Sequence, residues 1–363
     1  MKSILVLFLG RTGAGSIYTL EMVCSLSKKN KILVILSSYI DNKTDWDKEA
    51  NFNNNVRIKY VKTYNSIFSF VLSFFNIFRF ASLICMINKY NPDMVYSSWV
   101  HYWDPIIYPL IKCKNKIKTI HDVVLKAGES NFAFRMLHYF SFKFASKYIV
   151  LSKKYIQNCI DKGIDRENII VIPHAPYTFY KNNHDEPFKF KNKILFFGRI
   201  VEYKGLAVLL KAMRVVIKSL PTIKLIIAGD GDISLYREDL HKLENNIEIY
   251  NYWISNEEVE KYFNMIDILV LPYIEATQSG VIALSYSFSK PIISTDVGAI
   301  SEQIHDGETG YVVESNNPVI LSDIIIKLMS SPSLVYNMSR KCNEYYLNEM
   351  TWDSSAKMIL DLL

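Results

Sequence analysis

Arg199 and Lys204 stand five residues apart in the stretch Phe196-Phe197-Gly198-Arg199-Ile200-Val201-Glu202-Tyr203-Lys204-Gly205, directly after an apolar run. A guanidinium and an ammonium in a loop that enters a helix are suited to clamping a diphosphate, whereas taken singly each would more often be a solvated surface charge. Two more apolar runs end in small or polar residues. Ile227-Ala228-Gly229-Asp230-Gly231-Asp232 is a Gly-rich turn, and Glu275-Ala276-Thr277-Gln278-Ser279-Gly280 leads into another helical stretch, whose first N–H groups would point at an anion. Near the amino terminus Gly10-Arg11-Thr12-Gly13-Ala14-Gly15-Ser16 offers a similar cradle. It is not a clean G-x-G-x-x-G and lacks the acidic residue that a dinucleotide site wants, so a dehydrogenase reading is weak. His121 follows a further run, beside Asp122, while His174, Glu302 and Asp306 read as structural. Neither a metal nor a cofactor is expected.

These loops need a frame. A chain of 363 residues implies about two domains, and with half its residues hydrophobic and 21% charged it has the material for real cores. Apolar runs recur at 4–9, 32–36, 56–61, 94–97, 117–120, 148–151 and 169–172, then restart at 194–197, 223–228, 247–250, 268–271, 291–294 and 311–313, with helix-length segments between. Such alternation is the signature of a mostly parallel sheet, here twice over. The expected organisation is a first α/β domain at 1–178, a polar linker at 179–192, a second α/β domain at 193–345 and a last helix at 346–363. The five cysteines, Cys24, Cys85, Cys113, Cys159 and Cys342, are scattered and outside any C-x-x-C spacing, so a reducing cytoplasm fits and a disulfide framework or zinc site does not. The 42 Lys+Arg against 36 Asp+Glu give +6, which suits phosphate ligands or an anionic membrane surface and is too little to argue for nucleic acid.

In order, GRIVEYKG, IAGDGD, LPYIEATQSGVIALSYSFSKPIISTDVG and SEQIHDGETGYVV resemble the carboxyl-terminal half of the retaining, GT-B-fold glycosyltransferases of family 4. The amino-terminal half is less diagnostic, although its glycine loop and Thr119-Ile120-His121-Asp122 are similar to elements of that family. The resemblance implies two Rossmann-like domains facing a cleft, with the C-terminal helix crossing back to the first. It implies that Arg199 and Lys204 neutralise the donor's diphosphate as the sugar leaves, that Glu275 lies near the donor sugar, and that His121 faces that sugar. Gly198, Gly229, Gly231, Thr277, Gln278, Ser279 and Gly280 would then line the donor site. One departure stands out. Eight positions after Glu275 is Ala283, so the second Glu of the family's E-x7-E element, associated with the ribose, is missing.

The expected reaction is transfer of a sugar from a nucleotide-sugar donor to a saccharide acceptor with retained configuration, the acceptor linked to a polyprenyl diphosphate carrier. Its phosphate would sit at Thr12, Gly13 and Gly15. Two segments dense in Phe and Tyr, 64–90 and 131–148, add an anionic membrane surface as a partner, with Arg135, Lys143 and Lys147 as the basic residues of the second. The chain would then work in the cytoplasm, peripherally on the inner face of the cell membrane, in bacterial surface polysaccharide synthesis such as that of O-antigen. A nucleotide-sugar epimerase of similar fold and a non-catalytic sugar- or membrane-binding relative are the alternatives.

Overall fold

The computed structural model describes residues 1–125, 132–180, 188–348 and 350–363. The chain forms two compact units, Met1–Pro173 with Trp352–Leu363, and His174–Thr351. Residues 181–187 of the expected linker, and the start of the second aromatic segment, lie outside the described residues.

In the first unit the strands β1 (Ser3–Phe8), β2 (Lys31–Ser37), β3 (Val56–Val61), β4 (Met94–Ser97), β5 (Lys116–Ile120), β6 (Lys147–Val150) and β7 (Ile169–Val171) pair in the order β3-β2-β1-β4-β5-β6-β7. Every pair is parallel. The central strand shows why: Ile4 to Phe8 are all buried, as a strand covered on both faces requires. Parallel neighbours need crossovers, and the helices Ala14–Ser27 and Ile77–Tyr90 supply two of them. The last helix, Trp352–Leu360, packs on Ala14–Ser27, with Tyr18 edge-on to Trp352 at 4.9 Å and an ion pair of 2.7 Å from Lys28 to Asp353.

The second unit repeats the plan. Its strands β8 (Lys193–Phe197), β9 (Lys224–Ala228), β10 (Ile247–Tyr250), β11 (Ile268–Leu271), β12 (Ile292–Thr295) and β13 (Gly310–Val313) run parallel in the order β10-β9-β8-β11-β12-β13. The helices Leu206–Ser219 and Pro318–Met329 lie together on one face, closing a core of Phe196, Leu209, Met213, Ile227, Val270 and Ile325. The unit boundary falls before His174 rather than after Thr178, because His174 and Tyr177 pack beside Gly280. At the other end the helix Pro332–Asn348 runs through the expected boundary at 345, and the second unit ends at Thr351.

Each sheet has one place where the strand order reverses, β1/β4 in the first and β8/β11 in the second. Loops leaving two such strands diverge to opposite faces and leave a crevice outside the carboxyl ends, where ligands of open α/β sheets bind.

Candidate functional site

In the second unit both loops at the reversal carry residues singled out from the sequence. After β8 the chain passes Gly198, at φ +113°, then Arg199, and turns through the short helix Glu202–Lys204 to Gly205. After β11 come Pro272, Tyr273, Ile274 and Glu275. The two loops are clasped. The Tyr203 carbonyl accepts the N–H groups of Ile274 (2.8 Å) and Glu275 (3.3 Å), while the Tyr203 hydroxyl accepts from the Arg199 guanidinium at 2.9 Å. The Lys204 ammonium lies 3.9 Å from the centre of the Tyr273 ring. Gly205, at φ +72°, is pressed so close to β11's loop that a Cβ there would stand 1.8 Å from the Pro272 carbonyl oxygen. The structure thus brings Arg199, Lys204 and Glu275 to one crevice, with Arg199 and Glu275 exposed at its surface.

Gly229 and Gly231 have a packing role in this crevice. A Cβ on Gly229 would meet the Gly198 carbonyl oxygen at 2.0 Å, and one on Gly231 the Ile200 carbonyl oxygen at 2.2 Å. The Ile200 N–H donates to the Asp230 carbonyl at 2.7 Å. These glycines let β9's loop lie against β8's loop and so hold Arg199 in place.

The helix Gly280–Ser287 begins beyond Glu275, capped by the Ser279 hydroxyl, which accepts from Val281 N–H. Ser279 is fully engaged. Its N–H donates to Gln303 Oε1 at 2.8 Å, its carbonyl accepts from Gln303 Nε2 at 3.2 Å, and its hydroxyl meets the buried Tyr273 hydroxyl at 3.0 Å. Ser279 is therefore a brace, and the expectation that its N–H faces phosphate is corrected. Its neighbour Gly280, the first residue of the helix, remains in position to offer an N–H. The Thr277 carbonyl is taken by Ala299 N–H at 3.0 Å. Gln278 Oε1 is buried and meets no donor among the described residues. His174 Nε2 is 3.1 Å from the Tyr177 hydroxyl, and both side chains lie within 4 Å of where a Gly280 Cβ would be. Desolvation pushes the His174 imidazole down to about 4, leaving it neutral at pH 7. Ala283, where the second Glu is missing, is 2% exposed and packed into the unit.

Tyr203, Gln303 and the His174–Tyr177 pair were not recognised from the sequence as part of this site. Tyr203 and Gln303 sit inside quoted motifs, but a side chain that bridges two loops leaves no periodic trace.

In the first unit the reversal brings β1's glycine loop to β4's loop. A Cβ on Gly15 would be 3.0 Å from the Trp99 ring, so this glycine makes room for the indole. Trp99 stacks on His121 with centroids 3.8 Å apart, and His121 Nε2 lies 2.9 Å from the Ser98 carbonyl, which fixes the proton on that nitrogen. A cavity of about 70 Å³ beside them is lined by Trp99, Thr119, His121, Asp122 and His138. Gly13, at φ +92°, donates its N–H to the Asp41 carboxylate at 3.2 Å. Of the residues expected to cradle an acceptor phosphate, Thr12 is exposed, Gly13 has its N–H taken by the chain's own Asp41, and Gly15 makes room for Trp99.

Next to this loop the Arg11 guanidinium lies 4.8 Å from the centre of the Tyr64 ring, and the Tyr64 hydroxyl is 3.2 Å from His101 Nε2. Trp103 N–H donates to His101 Nδ1 at 3.2 Å, so Nε2 carries the proton. Burial, reinforced by the Arg11 charge, pushes this imidazole from 6.5 down to about 3. The folded form is neutral where the unfolded chain is already protonated, so the stability it lends is complete above pH 6.5 and is lost progressively as pH falls toward 3. Urea midpoints measured from pH 7.5 to pH 4.5 should fall with acidity, and His101→Gln should flatten that slope. An identical slope in the variant would show that other groups govern acid unfolding.

Among the described residues no three His, Cys, Asp or Glu side chains gather as metal ligands, and no single helix is long and apolar enough to cross a membrane.

Residues 191–331, which hold the whole β8/β11 crevice, match the family model described as glycosyl transferases group 1. An uncharacterised glycosyltransferase of Methanocaldococcus jannaschii is 27% identical over 278 residues, 74% of each chain. The second unit thus carries a glycosyl transferases group 1 domain. The chain is also 27% identical, over 55% of its own length and 56% of the other's, to an uncharacterised 41.2 kDa protein in the cps region of Klebsiella pneumoniae. Its fold is GT-B, as in Anabaena HepE, crystallised with UDP and glucose, which superposes with a TM-score of 0.74 over the whole of both chains at 15% identity.

Proposed function

We propose that this chain is a glycosyltransferase that moves a sugar, with retained anomeric configuration, from a nucleoside diphosphate sugar to a lipid-linked saccharide on the inner face of a bacterial cell membrane, in the building of surface polysaccharide. The observation that carries the donor half is the clasped pair of loops, with Arg199 and Lys204 beside Glu275 at the reversal of the second sheet. HepE, with UDP and glucose bound, supports a nucleotide-sugar donor, and the cps-region relative supports the polysaccharide context.

In the reaction the bond between the anomeric carbon and the diphosphate oxygen breaks, and negative charge grows on the leaving diphosphate. Arg199, Lys204 and the Gly280 N–H offset that charge where it develops, which lowers the barrier more than it tightens the ground state. The leaving phosphate oxygen takes the acceptor hydroxyl's proton on the same face, so the new bond forms where the old one broke. Glu275 holds the donor sugar. Because two fixed cations neutralise the diphosphate, activity should persist in EDTA; loss restored by manganese or magnesium would overturn that part.

The test is release of free nucleoside diphosphate from a panel of sugar nucleotides, with and without saccharide acceptors extracted with their lipid carrier. Release that depends on acceptor is the expected result. Release indifferent to acceptor, or conversion of the sugar without release, would replace a transferase with a hydrolase or an epimerase.

A further inference from the structure

The first unit carries an apolar surface that its core does not use. The helix Ile67–Ser73, with sequence IFSFVLS, is apolar nearly all round, a pattern that belongs in a core or in lipid. Only one side of it is covered. Phe70 packs edge-on to Tyr64 at 4.8 Å and Tyr102 at 5.1 Å, and the buried Ser73 hydroxyl accepts from Trp103 Nε1 at 3.1 Å. The other side, continued into the first turn of the helix Ile77–Tyr90, presents Ile67, Phe68, Val71, Phe75, Ile77 and Phe78, each between 52% and 88% exposed. These helices are not frayed. Ser66 and Ser69 close a capping box on the first, and Asn76 Oδ1 caps the second by accepting Arg79 N–H at 3.0 Å. They meet at 68°, so they form a knuckle.

Charge says what covers it. Between Glu49 and Asp93 there is no carboxylate, while Arg57, Lys59, Lys62, Arg79 and Lys89 fall in that interval. Three cations gather at the base of the knuckle: Arg79 Nη1 donates to the Thr63 carbonyl at 3.3 Å, Lys62 precedes that residue and is exposed, and Arg11 lies over Tyr64. A second copy docking through the same face in a two-fold contact would set cation against cation. A bilayer with anionic head groups offers acyl chains to the six side chains and phosphates to the three cations.

We infer that the Ile67–Ser73 and Ile77–Tyr90 knuckle is a membrane-docking surface whose apolar tip enters the interface of an anionic bilayer while Lys62, Arg79 and Arg11 meet its head groups. This moves the surface away from the basic residues expected at 135–147. There Lys147 is tied to the Glu167 carbonyl and to Asn168 Oδ1, both at 3.0 Å, and Lys143 lies over the Tyr139 ring. The surface stands independently of the proposed reaction, since vesicle binding and nucleotide binding are read separately.

The test is flotation of the full chain with vesicles of phosphatidylcholine alone or mixed with phosphatidylglycerol, at low and at high salt. The native chain should float with the anionic vesicles and release in salt. Phe68→Ser, Phe75→Ser and Phe78→Ser combined should abolish flotation while circular dichroism and nucleotide binding stay unchanged, because all three rings are exposed. Lys62→Glu should weaken binding by at least about fivefold, the effect of one basic residue near such a surface, and make it less salt-sensitive. A native chain that ignores anionic vesicles at low salt overturns the inference, whether or not it binds nucleotide. So does undiminished flotation of the triple variant. A native dimer that the triple variant turns into a monomer, with no flotation, would assign the face to a second copy instead.

Discussion

Arg199→Ala and Lys204→Ala should each cut turnover about 100- to 1,000-fold, the range seen when one preorganised donor to a developing charge is removed. The loss should fall mainly on kcat, because the diphosphate carries most charge once the sugar has begun to leave. Neither change should unfold the chain. Arg199 is exposed, and its Tyr203 contact is one of several that join the loops, since the two main-chain bonds from Ile274 and Glu275 to the Tyr203 carbonyl are untouched by the substitution. Lys204→Arg should restore part of the loss, since the charge over the Tyr273 ring is kept while its shape changes. Near-native turnover in both alanine variants, with a native circular dichroism spectrum, would remove these residues from the chemistry.

The second large effect belongs to Gly205. Its φ of +72° disfavours any side chain by roughly 1 to 2 kcal/mol. A Cβ placed 1.8 Å from the Pro272 carbonyl oxygen would also push the β8 and β11 loops apart, an overpacking cost of about 1 to 3 kcal/mol. Gly205→Ala should therefore lower the melting temperature by about 5 to 15 °C. It should also weaken nucleotide binding, although it removes no polar group. Gly163→Ala is the control: its φ of +84° carries a similar backbone penalty, but nothing lies within 4 Å of its Cβ position. A Gly205→Ala variant no less stable than Gly163→Ala would show that the loops are not pressed together there.

Much of this architecture is legible in the chain because strands buried on both faces must be apolar without interruption. Ile4 to Phe8 or Ile268 to Leu271 can scarcely be anything else once helix-length segments flank them. The same logic exposes the crevice, since whatever follows such a run lies at a carboxyl edge of the sheet. What the chain does not disclose is which polar atom meets which. Gly13 reads as an anion cradle, yet the anion that takes its N–H is Asp41, brought there by the pairing of β1 with β2. Ser279 reads as a phosphate donor, yet Gln303 reaches it from beyond β12. Both partners are distant in sequence and carry no spacing signal. Nor does apolar composition say which side of a helix is covered: Phe70 and Phe75 are alike in the sequence, but one packs on Tyr64 and the other is 75% exposed. The missing second Glu is legible, and the structure adds that Ala283, at its position, is sealed by packing.

The central claim is that a nucleoside diphosphate is held in the β8/β11 crevice by Arg199 and Lys204. Calorimetric titration of UDP, GDP and ADP into the native chain and into an Arg199→Ala, Lys204→Ala double variant tests it most directly. Saturable binding of at least one of the three to a single site, abolished in the double variant while its circular dichroism spectrum stays native, is the result this account predicts. Equal affinity in the two proteins would place the nucleotide elsewhere and contradict it.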